Sequence, residues 1–306
     1  MKDVLVVEIS GKRPGDNNAR PTEKNKLDYD HVIISNNADG YLTDWDIVLV
    51  PDEYHQWYKE NFKTSENFYL ATMNRAYAIK YAKERGYKYL VQLDDNISTL
   101  NLVYYKNIKE MGFEYSKKFS ATSRNGDNSM LNGIIDVLIE MLEQTNAGIT
   151  GCSNTFVPPT STIFSEKYSY CIMAMKLDIV PDVFFGDFHD DMDYHIRLWE
   201  MGIPTLQNCF FKYEKISRKT GDTTGCRAEY DRTGISKSDH MRKLHSDVFT
   251  KINTTKKYVE KQILKHKKLG IIAKDVEAIN KKMLAMFQKY ATTKKDELKI
   301  SEINLH

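Results

Sequence analysis

Short runs of apolar, mostly β-branched residues alternate with segments of helical spacing along the first two thirds of the chain. "DVLVVEIS" (3–10), "HVIISN" (31–36) and "DIVLVP" (46–51) are brief and closed by Gly, Asn or Pro, which predicts buried strands. Between Thr72 and Arg85, the residues Met73, Ala76, Ile79 and Ala82 recur at near-helical spacing, and Gly86 stands where a helix C-cap would. "YKYLVQL" (87–93) follows as a strand. Strand, helix and strand in that order predict a right-handed crossover and a largely parallel sheet, with ligands at the carboxyl ends of its strands.

Further along, the polar stretch 106–128 reads as a surface loop and "MLNGIIDVLIEMLEQ" (130–144) as a mostly buried helix. "AGITGCS" (147–153) and "YSYCIMAMKL" (168–177) are two more strands. In "HDDMDYHIRLWEMGIP" (189–204), Met192, Ile196, Trp199 and Glu200 fall on related faces of a helix opened by acids and ended by Gly202 and Pro204. "TLQNCFF" (205–211) returns as a strand. Residues 221–238, rich in Gly, Thr, Arg and Asp, predict a long loop. Beyond it, Val276, Ile279, Met283 and Phe287 form an apolar stripe among lysines, an amphipathic basic helix.

Charge changes this picture at one end. The net charge of +2 conceals fourteen lysines against six acids between residues 251 and 302, so the remaining chain is mildly acidic. Such a run is either a solvated face or a surface for a phosphate backbone. Four dispersed cysteines, Cys152, Cys171, Cys209 and Cys226, lack paired spacing and read as reduced, buried thiols. No stretch is long and apolar enough for a membrane span or a signal peptide, so the expected location is the cytoplasm, with no membrane partner.

The candidate chemistry is acidic. Asp94, Asp95 and Asn96 close the strand "YKYLVQL", where acids make turns or, held on a rigid edge, offer hard oxygen ligands to Mg²⁺ or Mn²⁺. Asp187, Asp190, Asp191 and Asp193 crowd the start of a later helix, where they complement its dipole; crowding of that kind costs energy unless a cation or a proton offsets it. Asp191 is the residue expected to serve as general base, beside Asp190. Tyr54, Trp57 and Tyr58 lie at helical spacing and read as core or interface.

These features together, with "ATMNRAYAIKYAKERGYKYLVQLDDNI" (71–97) followed by "HDDMDYHIRLWEMG" (189–202), resemble nucleotide-sugar glycosyltransferases of the GT-A fold over roughly residues 1 to 212. More narrowly, "VLVPDEYHQWY" (48–58) before them is similar to the TET-associated glycosyltransferases, a mainly phage-borne group associated with hydroxymethylated pyrimidines in DNA. The resemblance implies a GT-A-like (Rossmann-like) α/β fold, a mixed sheet flanked by helices; the domain is expected over residues 1–246, and the chain's own pattern gives a lysine-rich helical extension at 247–306. It implies a nucleotide-sugar donor, most simply a UDP-sugar, and Mn²⁺ or Mg²⁺. The metal motif falls on Asp94, Asp95 and Asn96, its third acid being an amide here, or on Leu93, Asp94 and Asp95 in a shifted frame. Asn74 and Arg75 match the nucleotide side of the fold, as does Asp94, and Ser10, Lys12 and Arg13 the base and ribose edge. Asp190 and Asp191 match the acceptor side, Asp191 as base if the enzyme inverts, and His240 or His245 the late histidine that reaches the metal.

The expected function is therefore transfer of a sugar from a nucleotide donor to a hydroxyl, on a modified pyrimidine in DNA. Three rival readings stand beside it. The acceptor is a glycan, protein or small molecule; the acids and histidines form a metal phosphohydrolase or nuclease; or the fold is an inactive DNA-binding module.

Overall fold

A computed structural model describes residues 3–10, 27–41, 43–62, 70–104, 119–123, 129–154, 163–183, 190–215, 237–246, 249–252, 261–264 and 268–290. In chain order the elements are β1 (Val4–Ile9), β2 (Asp30–Ser35), β3 (Asp46–Leu49), α1 (Asp52–Phe62), α2 (Leu70–Glu84), β4 (Tyr89–Asp94), β5 (Ile97–Tyr104), β6 (Phe119–Ser123) and α3 (Ser129–Gln144). They continue with β7 (Ile149–Asn154), β8 (Phe164–Glu166), β9 (Ile172–Lys176), α4 (Asp190–Glu200), β10 (Thr205–Lys215), α5 (Lys237–Leu244), β11 (Phe249–Ile252), β12 (Lys261–Leu264) and α6 (Val276–Tyr290).

Ten strands form one mixed sheet in the order β3-β2-β1-β4-β9-β7-β10-β5-β6, with β8 also on β10. The first four run parallel, as their crossovers require. β9 lies antiparallel between β4 and β7, and β5 and β6 run antiparallel beyond β10. The expected α/β architecture, a Rossmann-like mixed sheet flanked by helices, is the one present.

The pleat explains how both faces are covered. β1 is buried throughout: Leu5, Val7 and Ile9 pack with α1, α2 and part of α4, while Val4 and Val6 pack on the opposite face with α3 and α6. Tyr54 and Tyr58 are buried on the first face, as their spacing in α1 predicts, and Trp57 is half-exposed. Two helices end alike. Gly86 and Gly202 take φ of 77°, and in each case the next two N–H groups turn back on the helix: Gly86 on the Lys83 carbonyl and Tyr87 on that of Ala82, Gly202 on Trp199 and Ile203 on Leu198. This closure points β4 and β10 back into the sheet.

Three local outcomes differ from the sequence reading. Phe119–Ser123, inside the stretch expected as loop, is edge strand β6 paired to β5. The lysine-rich segment opens with the two-stranded ladder β11–β12 before its helix. α6 lies in the main core: Ile279, Met283, Met286 and Phe287 are buried, Phe287 meets Phe210 edge-on, and Lys282 pairs with Glu140 on α3 at 2.8 Å. Cys152, Cys171 and Cys209 are buried free thiols, as expected, and Cys226 lies outside the described residues. No helix among the described residues is long and apolar enough to cross a membrane.

Gly151, in the centre of β7, marks a close approach. A Cβ there would sit 2.4 Å from the Ile172 carbonyl oxygen and 2.5 Å from Ser169 Cβ. The first neighbour is strand backbone and has no rotamer to move. Gly151→Ala is expected to lower stability by about 1–3 kcal/mol, the usual cost of overpacking, measured by urea denaturation; an unchanged midpoint would show that β9 yields.

Candidate active site

β1 and β4 are parallel neighbours, with Ile9 opposite Asp94, so Ser10 and the Asp94–Asn96 run emerge together at the carboxyl edge of the sheet. Alternation along β4 then separates adjacent side chains. Leu90, Gln92 and Asp94 share the α2 face, where Arg75 is buried. The Arg75 guanidinium donates to Gln92 Oε1 at 3.3 Å and pairs with Asp94 Oδ1, while Gln92 Nε2 returns a bond to the Arg75 carbonyl at 2.9 Å. Arg75 Nε also faces Asp190 Oδ2 at 2.9 Å, at an angle outside hydrogen-bond geometry, so this contact is coulombic. Asp94 Oδ2 accepts from Lys215 Nζ at 2.6 Å. One guanidinium and one ammonium thus tie α2, β4, α4 and β10 into a single charge cluster.

Three carboxylates, Asp94, Asp190 and Asp191, share these two cations. Burial opposes the charge on Asp94, but Lys215 and Arg75 outweigh it and hold the carboxyl well below its usual range. Burial likewise opposes charge on Arg75 and Lys215, and the facing carboxylates, Asp94 first, raise both above their ordinary values. The deficit falls on the pair opening α4. Burial pushes Asp190 up to about 7 against the pull of Arg75, with help from Asp191 and Asp94, and burial raises Asp191 in the same direction. Near neutral pH one proton balances the cluster.

Asp95 belongs to a second network, on the other side of the pleat. It is fully buried and accepts from Ser10 Oγ at 3.1 Å; Ser10 Oγ lies 2.6 Å from Tyr41 Oη, and Tyr41 Oη 3.0 Å from Ser35 Oγ. Asn74 Nδ2 donates to the Ser10 carbonyl at 2.8 Å and to Asn36 Oδ1 at 3.0 Å, and Asn36 Nδ2 lies 2.7 Å from His55 Nε2. The Asn74 Oδ1 atom is buried without a hydrogen-bond partner, an acceptor held ready beside β1.

The residues that would hold a divalent cation fit it in kind. Asn96 Oδ1 is buried and has no hydrogen-bond partner, and the two hard carboxylates before it in sequence lie in separate networks, Asp94 on Arg75 and Lys215 and Asp95 on Ser10. Among the described residues no three His, Cys, Asp or Glu side chains gather into a group able to hold a metal ion. That excludes a closed protein cage from those residues, not a Mg²⁺ or Mn²⁺ site, which commonly needs one or two carboxylates with waters and substrate phosphates.

The structure thus brings together Ser10 and Asn74 around Asp95, and Arg75, Asp94, Asp190 and Asp191 around one ion cluster. It does not bring His245 to them. His245 is buried just past the end of α5, with Nε2 2.6 Å from Asp193 Oδ1 and Nδ1 3.6 Å from Glu200, and Asp193 also accepts from Arg197 Nε at 2.9 Å. His245 and Arg197 overcome burial to hold the Asp193 carboxyl below its usual range, and the pair fastens α5 to α4. The His240 side chain, Lys12, Arg13, Asp187 and the expected loop up to residue 236 lie outside the described residues.

Two participants escaped sequence reasoning. Lys215 ends an apolar strand as an ordinary polar residue would, and nothing in its neighbours announces a partner 121 positions earlier. Cys171 carries the one positive φ among the described non-glycine residues, 64°; its carbonyl accepts the Asp94 N–H at 2.8 Å, and its thiol, pushed up to about 12 by burial, contacts Lys215 and Tyr213.

No protein-family model matches the chain, and no curated protein does. Among solved structures it is similar to a protein from Desulfovibrio desulfuricans G20 described as a nucleotide-diphospho-sugar transferase, at 8% identity and a TM-score of 0.34, over 68% of this chain and 80% of that one. A likeness this low carries no argument, and the functional reading rests on the residues themselves.

Proposed function

We propose that the protein is a nucleotide-sugar glycosyltransferase that moves a sugar to a hydroxyl, with a hydroxymethylated pyrimidine in DNA as the acceptor. The observation that supports it best is the pairing of two acid groups across one buried arginine: Asp94 at the carboxyl edge of β4 and Asp190–Asp191 at the start of α4. Carboxyl edges of such sheets are where ligands bind. The buried Ser10, Asn74 and Asp95 network would shape the nucleoside side of the site from behind, fixing the end of β1 against α2. Asp94, Asp95 and Asn96 would hold Mg²⁺ or Mn²⁺, which supplies charge to a departing nucleoside diphosphate.

In the transfer step the acceptor oxygen forms a bond to the anomeric carbon as the bond from that carbon to the diphosphate oxygen breaks. Asp191 takes the hydroxyl proton, and the bonding pair leaves with the nucleoside diphosphate. This role belongs to an inverting reaction. The lysine excess at residues 251–302 favours a nucleic-acid acceptor, and a base within a duplex would have to be flipped out to reach the edge.

The test is incubation with Mg²⁺ or Mn²⁺, a panel of nucleotide sugars and DNA containing hydroxymethylated pyrimidines, followed by nucleoside mass spectrometry. An added hexose or pentose mass is the expected result. Donor hydrolysis with no sugar on DNA would move the acceptor to a glycan, protein or small molecule. Neither donor use nor donor binding would sink the glycosyltransferase reading, and phosphodiester cleavage without a donor would replace it with a nuclease.

A further inference from the structure

A diphosphate entering a cluster of three carboxylates meets repulsion unless a cation can turn toward it. Arg75 cannot. Its side chain is 8% exposed, and its nitrogens already face Gln92, Asp94 and Asp190. Asp94 and Asp190 are nearly as enclosed, at 15% and 13%. Lys215 differs from all of them: its side chain is 37% exposed, at the last position of β10, while its ammonium rests on Asp94. An ammonium has three N–H donors. One goes to Asp94 Oδ2, a second contacts the Cys171 thiol, and a third remains for an incoming anion.

We infer that Lys215 binds the diphosphate of the donor, with Asp94 as the positioning residue that holds its ammonium at the mouth of the site. The inference deepens the glycosyltransferase reading and rests on it. The strained Cys171 backbone serves the same arrangement, because its carbonyl fixes the Asp94 N–H and its thiol touches Lys215. Asp94 and the diphosphate are then rival anions for one cation. Removing the carboxylate charge frees Lys215 for phosphate, an effect opposite in sign to that of removing the lysine.

The experiment is calorimetric titration of the full chain with inorganic pyrophosphate and with UDP, in EDTA and in Mg²⁺, for wild type, Lys215→Met, Lys215→Arg and Asp94→Asn. Lys215→Met is expected to weaken pyrophosphate binding about tenfold or more, the loss of one charge-assisted hydrogen bond. Lys215→Arg should stay within about threefold, at a melting temperature like that of Lys215→Met. In EDTA, Asp94→Asn should tighten pyrophosphate binding several-fold, and adding Lys215→Met should erase that gain. This second arm decides the matter even if the single methionine variant folds poorly. Wild-type affinity in a folded Lys215→Met, or no tightening in Asp94→Asn, overturns the assignment while leaving the donor reading intact. Wild-type protein that binds neither pyrophosphate nor any of UDP, GDP, CDP, ADP and dTDP overturns both.

Discussion

Arg75→Met is expected to lower the stability of the protein by about 3–5 kcal/mol and to abolish the proposed sugar transfer. The magnitude is that of breaking a buried ion pair by removing one partner, which leaves the other charge enclosed and unmatched. Here Asp190 loses the cation it faces, Asp94 is left with Lys215 alone, and Gln92 loses a donor. Lysine is no substitute, since a single ammonium cannot reach three acceptors arranged around a planar fork. Urea denaturation at neutral pH measures the loss. The pH dependence checks its cause: Asp94 titrates below its unfolded value, so its contribution is present above about pH 4 and disappears as pH falls through its lower folded value. In the variant that acid limb should flatten in part, since Lys215 still holds the Asp94 carboxyl down. A folded Arg75→Met with wild-type stability would mean that the ion cluster does not hold these elements together.

The division between what the sequence disclosed and what it withheld follows sequence distance. β1, β2, β3, β4, α2, α3 and α4 were legible because each is a local pattern, a run or a stripe with its own terminator, and Gly86 and Gly202 marked helix ends that depend on neighbouring residues. The stripe of α6 was equally plain; its seat against Phe210 and Glu140 was not, because nothing local specifies which face receives it. β6 was missed since a polar edge strand needs only one neighbour and carries little apolar signal. The adjacent acids stand out in the sequence, yet period-2 alternation sends Asp94 toward Arg75 and Asp95 toward Ser10, so two neighbours in sequence act in different networks. Lys215, at the end of β10, and Cys171, just before β9, complete the cluster from far along the chain, as His245 completes Asp193 from 52 residues away. Pairings at that range are decided by sheet order and crossover, which the pattern of a single strand does not contain.

Asp191→Asn is expected to slow the proposed sugar transfer about 10²- to 10⁴-fold, the usual contribution of a positioned general base, while donor binding stays within a few-fold. The cluster adds a second signature. Burial raises both Asp190 and Asp191, Asp190 to about 7, so the pair loses its last proton near neutrality and not near pH 4. The rate should therefore climb as pH rises through about 7, and Asp190→Asn should shift that limb downward, because a neutral amide no longer repels charge on Asp191. Stability runs the other way. A carboxyl whose folded value is raised keeps a proton that the unfolded chain has already released, so between about pH 4 and about pH 7 the folded state holds more protons and its stability falls as pH rises. Asp190→Asn should flatten that decline. Rate and thermal midpoint recorded across about pH 5 to 8 thus move in opposite directions if the acids of α4 are the base. A rate that is flat over this range, with Asp191→Asn fully active, would remove the pair from the chemistry and leave it as a cap on the helix.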